Sequence, residues 1–393
     1  MTSLGSLPLR DDLRGRSPYG APVIDVPVRL NVNENAFDVP ADVTAALQQR
    51  IAEVSATLNR YPDREFTELR RLLAGYLNDV LRGEGAASAP GTIASAAQAG
   101  ASGPIVPDMI WAANGSNEVL FHILQAYGGP GRSALGFGPS YSMHPLITQS
   151  TGSEWIEVPR GADFSITAQS AVEAVRAHAP DVVFVCTPNN PTGNSTPLDV
   201  IEAIYDATDG VVIVDEAYAE FAGADFRTAL SLLPGRPRLV VSRTMSKAFA
   251  FAGARVGYAA AAPELVDGLR LVRMPYHLSS LTQAAAEAAL AHPDSLLAGV
   301  EELSRQRDRM VAGLRGFGFD VVQSDANFVL FRGVADPSLL WTQLVEKGVL
   351  IRDVGIAGCL RANAGTDEET TAFLDALADI LSTPPDTLGR SPQ

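Results

Sequence analysis

The sequence predicts an α/β fold: a large domain with a mostly parallel sheet sandwiched by helices, then a smaller α+β C-terminal domain. Three observations carry this prediction. From residue 108 onward, the apolar runs DMIWAAN, SALGFGPSYSM, DVVFVCTPNN, GVVIVDEAY and RLVVSRTMS appear, with helical segments between several of them. These runs are continuously apolar, as in strands of a parallel sheet covered on both faces; one solvated face would give alternation. After about residue 275 the pattern shortens to brief strands among helices, which indicates a second, smaller unit.

Length and composition agree with this architecture. A chain of 393 residues, 46% hydrophobic and 19% charged, can bury two globular cores. The net charge of −15 argues against nucleic-acid binding, which needs a basic face. It also means that a pocket for an anionic substrate must carry its own arginines. Cys186 and Cys359 form no CxxC pair and no metal-like cluster with the five histidines, so neither a metal nor a disulfide framework is expected. The opening residues lack the apolar core of a signal peptide, and no apolar stretch approaches membrane-spanning length. The expectation is a cytoplasmic protein without membrane contact.

Residues 1–40 read as an extended arm, because Pro8, Pro18, Pro22, Pro27 and Pro40 break helices and leave only a short VPVRLNV strand. The large domain is expected over 41–275. It opens with ADVTAALQQRIAEVSATL and RYPDREFTELRRLLAGYL, both read as helical. Residues 83–107 are rich in Gly, Ala and Ser without periodicity and read as a mobile surface insertion with no chemistry. The strand–helix alternation then runs to a break near MPYHLSS. The small domain, 276–393, has a long helical region, TQAAAEAALAHPDSLLAGVEELSRQRDRMVAGLRGFG, and short strands in DVVQSDANFVLFRG, VLIRDV and CLRANAG. The tail STPPDTLGRSPQ is expected to fray.

The strand runs end in polar or special residues: Asn114-Gly115-Ser116, Pro139-Ser140-Tyr141, Asn189-Asn190-Pro191, Asp215-Glu216 and the segment from Thr244 to Lys247. Ligands of open α/β sheets bind beyond the carboxyl ends of strands, so these ends predict one crevice. Lys247 is one of two lysines against 28 arginines. A lysine that is buried or set beside a cation can lose its proton and attack a carbonyl, which arginine cannot do. Taken alone, Lys247 reads equally as an imine-forming residue or as a phosphate-binding or salt-bridging one.

Its neighbours favour the first reading, with pyridoxal phosphate as the carbonyl partner and electron-accepting ring. Asp215 closes the apolar strand GVVIV, where a pyridinium N–H would be a suitable cationic partner; a helix cap or structural salt bridge is the other reading. Tyr218 and Asn190 can reach the ring hydroxyl. Tyr141 is a candidate stacking partner, although a strand-end tyrosine usually packs the rim. Ser116 and Asn117 open a helix whose N–H groups favour phosphate. Thr244 and Ser246 add hydroxyls, and Arg255 adds a bidentate charge.

These segments carry a resemblance. SKAFAFAGAR is similar to the Schiff-base segment of fold-type I pyridoxal-phosphate aminotransferases of the histidinol-phosphate class, and PNNPTG and VDEAYAEF resemble two further cofactor segments in the same order. NENA, RYPD, GPSYSMHP, SDANFVLF and CLRANAG extend the match over nearly the whole chain apart from 83–107 and the tail. LRGRSPYGAPVIDVPVRLNVNEN and YHLSSLTQAA resemble the actinobacterial branch.

The resemblance implies Lys247 as Schiff-base lysine and proton shuttle, Asp215 at the pyridine nitrogen, and Tyr218 with Asn190 at the ring oxygen. Tyr141 stacks on the ring, while Ser116, Asn117, Thr244, Ser246 and Arg255 bind the cofactor phosphate. Tyr61 reaches that phosphate from a partner subunit, implying a homodimer with shared active sites. Arg361 takes the anionic group of the substrate, either glutamate carboxylate or the phosphate of histidinol phosphate, helped by Tyr19 and Arg352; Arg352 reads equally as a surface ion pair. The implied reaction is a ping-pong step of histidine biosynthesis interconverting histidinol phosphate plus 2-oxoglutarate with imidazole-acetol phosphate plus glutamate.

Two positions depart from the pattern. Ala36 replaces the usual proline of NENP, and the residues after Arg361 read ANAG, without the common β-branched residue before the glycine. The nearest alternative function is an aromatic-amino-acid (phenylalanine) aminotransferase; a threonine-phosphate decarboxylase is a further one. A non-enzymatic cofactor-binding regulator lacks a basic DNA-binding segment and leaves Arg361 without a role. A dinucleotide-binding dehydrogenase is weaker, because GEGAAS and GFGPSY lack the third glycine of the fingerprint.

Overall fold

The computed structural model describes residues 7–15, 20–83 and 104–382. Tyr19, most of the 83–107 segment and the tail after residue 382 lie outside the described residues. The arm contributes β1 (Val28–Arg29), followed by helices α1 (Ala41–Ser55) and α2 (Thr67–Leu81). Then come β2 (Ile110–Ala113), α3 (Ser116–Tyr127), β3 (Ser133–Gly138), α4 (Met143–Ser150), β4 (Glu154–Pro159), α5 (Ala168–His178) and β5 (Val182–Cys186). The large unit is completed by α6 (Leu198–Ala207), β6 (Val211–Asp215), β7 (Leu239–Thr244), β8 (Gly257–Ala261) and α7 (Pro263–Val272).

The seven-stranded sheet has the order β2-β8-β7-β6-β5-β3-β4. Only β8 runs antiparallel to its neighbours, so β2, β3, β5, β6 and β7 all end at one edge. Every residue of β5 and β6 is buried, which accounts for their unbroken apolar runs. Strand order reverses between β3 and β5, where a doubly wound sheet opens its ligand crevice.

Beyond α7, helices α8 (Ser280–Leu290) and α9 (Pro293–Gly316) lead into β9 (Asp320–Val321), β10 (Phe328–Arg332), α10 (Pro337–Glu346), β11 (Val349–Leu350), β12 (Cys359–Asn363) and α11 (Asp367–Ser382). Strands β12, β10 and β9 form an antiparallel sheet against α9. The arm is stitched to this part of the chain: β1 pairs in parallel with β11, and Asn363 N–H donates to Leu30 O at 3.1 Å.

Three elements differ from the sequence reading. Helix α2 begins at Thr67, not in RYPD, because Asp63 accepts the Glu65 and Thr67 amides and Phe66 adopts φ 40°. The long helical region divides into α8 and α9, with Pro293 starting the second helix as proline does at a first turn. Strand β8, GYAAA, has almost no β-forming signal, since alanine is depleted in strands. Two flanking strands impose it, and Gly257 sits directly opposite Ala113 and Thr244.

Candidate active site

A cavity of about 410 Å³ opens at the common strand edge and is closed over by the arm and the β11–β12 region. Every residue named above as cofactor- or substrate-binding lines it, except Tyr61 and the undescribed Tyr19. Arm residues from Asn31 to Asn33 line it as well.

One end is built from the start of α3 and the loop after β7. The first amides of a helix have no intrahelical acceptor, and here they belong to Ser116 and Asn117. Gly115 holds φ 89°, and a Cβ there would collide with the Arg255 guanidinium. A Cβ on Gly257 would collide with the Ser116 amide nitrogen. The two glycines therefore let backbone and guanidinium close to a separation that side chains would prevent. Thr244 Oγ1 donates to Ser246 Oγ at 3.0 Å, and Arg255 Nη1 lies 3.5 Å from the same oxygen.

The middle is built from strand ends. Asp215 is 2% exposed; its Oδ2 lies 3.0 Å from His144 Nε2, and its Oδ1 accepts from Ser242 Oγ at 3.3 Å. His144 lies flat on Phe184, with ring centroids 4.6 Å apart. The sequence reading missed this imidazole, although GPSYSMHP contained it. Tyr141 stands edge-on to His144 and its hydroxyl donates to Asn117 Oδ1 at 3.3 Å. Tyr218 accepts from Asn33 Nδ2 at 2.9 Å and from Asn190 Nδ2 at 3.3 Å, leaving its own O–H to donate. Burial raises its phenol pKa, while Arg361 and Asn33 oppose that rise. Cys186 also lines the cavity, but burial pushes its thiol up to about 12, so it has no nucleophilic part.

Below the cavity, buried Glu216 accepts from Arg243 Nη2 at 2.7 Å, Thr228 Oγ1 at 2.7 Å and the Ala229 amide at 2.6 Å. Glu216 follows Asp215, and Arg243 precedes Thr244, so this ion pair ties the working ends of β6 and β7 together. Removing one partner of such a buried pair costs about 3–5 kcal/mol.

Lys247 Nζ donates to Val32 O at 3.1 Å, while Asn35 Nδ2 donates to the Lys247 and Ala248 carbonyls at 3.3 and 3.2 Å. The NENA segment thus clamps the lysine loop through Asn35, and Ala36 only packs against the core. Burial, then the charges of Arg361 and Arg255, lower the Lys247 pKa to about 8, with Glu34 opposing. The folded protein therefore releases this proton before the unfolded chain, whose value is 10.5. The stability cost is full below about pH 8 and is relieved as pH rises toward 10.5. In cofactor-free protein, Lys247→Met should raise the melting temperature below pH 8, and that advantage should shrink between pH 8 and 10. A constant difference across this range would give the lysine an ordinary pKa.

At the far wall, Arg361 Nη1 donates to Asn190 Oδ1 at 2.6 Å and Nη2 to Asn31 O at 2.9 Å, with its guanidinium 5.2 Å from the Phe328 ring centroid. Arg352 pairs with Arg361 through a backbone bridge and faces the same cavity. Among the described residues no ion pair of the Arg352 side chain is found. Tyr61 is 79% exposed and stacks on Tyr276 at 4.4 Å, outside its own chain's cavity.

A buried lysine of lowered pKa, a supported carboxylate and an anion cradle at one sheet edge define a group-transfer site for a phosphorylated carbonyl cofactor. The chain belongs to the aminotransferase class I and II family, whose model matches residues 25–377. It is 55% identical to the histidinol-phosphate aminotransferase of Paenarthrobacter aurescens over 96% of both chains. It is 51% identical to that of Streptomyces avermitilis, covering 96% of this chain and 97% of the relative. The fold matches the crystal structure of histidinol-phosphate aminotransferase from Sinorhizobium meliloti in complex with pyridoxal-5'-phosphate, with a TM-score of 0.76, 24% identity and 91% of each chain covered.

Proposed function

We propose that this protein is a pyridoxal-phosphate-dependent aminotransferase of histidine biosynthesis. It exchanges an amino group between histidinol phosphate and 2-oxoglutarate, giving imidazole-acetol phosphate and glutamate. The observation that carries the reading is the meeting of Lys247 and Arg361 in one cavity of an otherwise acidic chain.

The residues present fit the cofactor. Ser116, Asn117, Thr244, Ser246 and Arg255 would hold its phosphate in the cradle that Gly115 and Gly257 keep clear. Asp215 would face the ring nitrogen, Tyr218 and Asn190 the ring oxygen, and Tyr141 the ring face. When bound, pyridoxal phosphate supplies a carbonyl for an amine and a ring that takes up the electron pair of a substrate carbon.

The chain's own residues do the rest. Lys247 Nζ, neutral above about pH 8, serves as nucleophile and then carries the proton to and from the substrate carbon. His144 and Ser242 hold both oxygens of the buried Asp215 side chain in place. Arg361, anchored by Asn190 and Asn31, orients the anionic end of the substrate with Arg352 beside it.

A cytoplasmic homodimer with shared sites belongs to the same reading. It is supported by the exposed Tyr61–Tyr276 stack, which is available to a second copy, and by two free cysteines. No helix among the described residues is long and apolar enough to cross a membrane.

The test is a single-substrate reaction of the loaded enzyme, followed through the cofactor absorbance. Histidinol phosphate should convert the cofactor faster than phenylalanine does, and an amino-acid phosphate should release no carbon dioxide. A faster reaction with phenylalanine would reassign the enzyme to the aromatic amino acids, and carbon dioxide release from the amino-acid phosphate would make it a decarboxylase.

A further inference from the structure

We infer that His277 is a positioning residue for the phosphate cradle, acting on the β2–α3 turn through Ala112 and Asn114. The inference rests on the proposed function in reading the Ser116 end of the cavity as a phosphate site.

The segment MPYHLSS turns sharply at Tyr276, whose φ is 60°, sending Tyr276 toward the exposed Tyr61 and His277 inward. The His277 ring stacks on Trp111 with centroids 5.5 Å apart and planes within 9°, and Phe66 packs edge-on at 5.7 Å. His277 Nε2 lies 2.9 Å from Ala112 O. A carbonyl can only accept, so Nε2 carries the hydrogen and the tautomer follows from the contact. From the same residue, the backbone oxygen accepts Asn114 Nδ2 at 2.8 Å. Asn114 is then locked to the first turn of α3, its N and Nδ2 donating to Glu118 Oε2 at 2.6 and 2.7 Å.

One residue therefore grips the end of β2 and the turn that follows it. The next residue is Gly115, packed beneath the Arg255 guanidinium, and then Ser116, whose amide abuts Gly257. Only Gly115 separates Asn114 from Ser116 along the chain, so displacement of Asn114 is passed to the Ser116 amide. Trp111 is fixed on its other side, its Nε1 donating to His122 Nδ1 at 3.2 Å. Burial lowers the pKa of His277, and brings that of His122 to about 4, which favours the neutral rings beside Arg273. The Trp111–His122–His277 cluster has no part in the chemistry described above.

An ordinary core residue would weaken every ligand alike, whereas a cradle-positioning residue weakens only the ligand with a phosphate. The experiment compares equilibrium binding of pyridoxal phosphate and of pyridoxal, which has the same ring and aldehyde, to stripped full-length protein. The wild type should prefer pyridoxal phosphate strongly. His277→Phe keeps an aromatic ring on Trp111 and removes the donor to Ala112; it should lose about tenfold of that preference with pyridoxal affinity unchanged. His277→Gln, which restores a donor, should recover it.

Asn114→Ala cuts the link from the other side and should show the same selective loss, which covers the case of a His277→Phe protein that does not fold. Equal weakening of both ligands, or an unchanged preference in these variants, overturns the inference while leaving the proposed function intact. A wild type without preference for the phosphorylated form overturns the phosphate site itself.

Discussion

Lys247→Arg should leave a folded protein that still takes up pyridoxal phosphate but turns over at least about 10⁴-fold more slowly. The reason is a single property of the side chain. The Lys247 amine sits near Arg361 and Arg255, which help to bring its pKa to about 8, within reach of neutrality. A guanidinium in the same place stays charged, so it can neither attack a carbonyl nor relay a proton. Borohydride should fix the cofactor covalently to the wild-type chain and not to the variant, and thermal melts separate lost chemistry from lost fold. Normal transamination by the variant would remove Lys247 from the reaction.

Asp215→Asn should lower kcat by about 100- to 1,000-fold, the range for deleting one preorganised charge or donor from a water-excluded site. The carboxylate is almost wholly buried between His144 Nε2 and Ser242 Oγ, and an amide of the same shape can keep both contacts, its oxygen facing His144 and its N–H donating to Ser242 Oγ. What it loses is the negative charge. Steady-state kinetics, with cofactor occupancy measured separately, checks the prediction; a kcat within a few-fold of wild type would give Asp215 a purely structural role.

Much of this site was legible because each strand announces its own end. β5 and β6 are buried on both faces, so their sequences are unbroken apolar runs, and Asn190 and Asp215 appear where the runs stop. Lys247 stood out by scarcity, and Arg361 by its place in CLRANAG. His144 was missed because one buried histidine in a helix has no sequence signal that separates a carboxylate partner from packing. Strand β8 was missed because alanine and glycine carry no strand preference. Its neighbours' edges impose the conformation, and the close approach at Gly257 requires small residues.

The sequence by itself determined the local chemistry: which segments are buried strands, where they end, and which residue types stand there. Hydrophobic period and turn residues act over a few positions, and that is the range over which they can be read. Tertiary structure alone decided the pairings across the chain. Asn33 meets Tyr218, Arg361 meets Asn190, and Lys247 donates to Val32, although each pair is more than about 170 residues apart. Such contacts follow from how the arm and the small sheet pack against the large one, with the ends of buried strands brought to one edge. The lowered pKa of Lys247 belongs to the same class, because it arises from burial and from Arg361, and neither is written in SKAFAFAGAR.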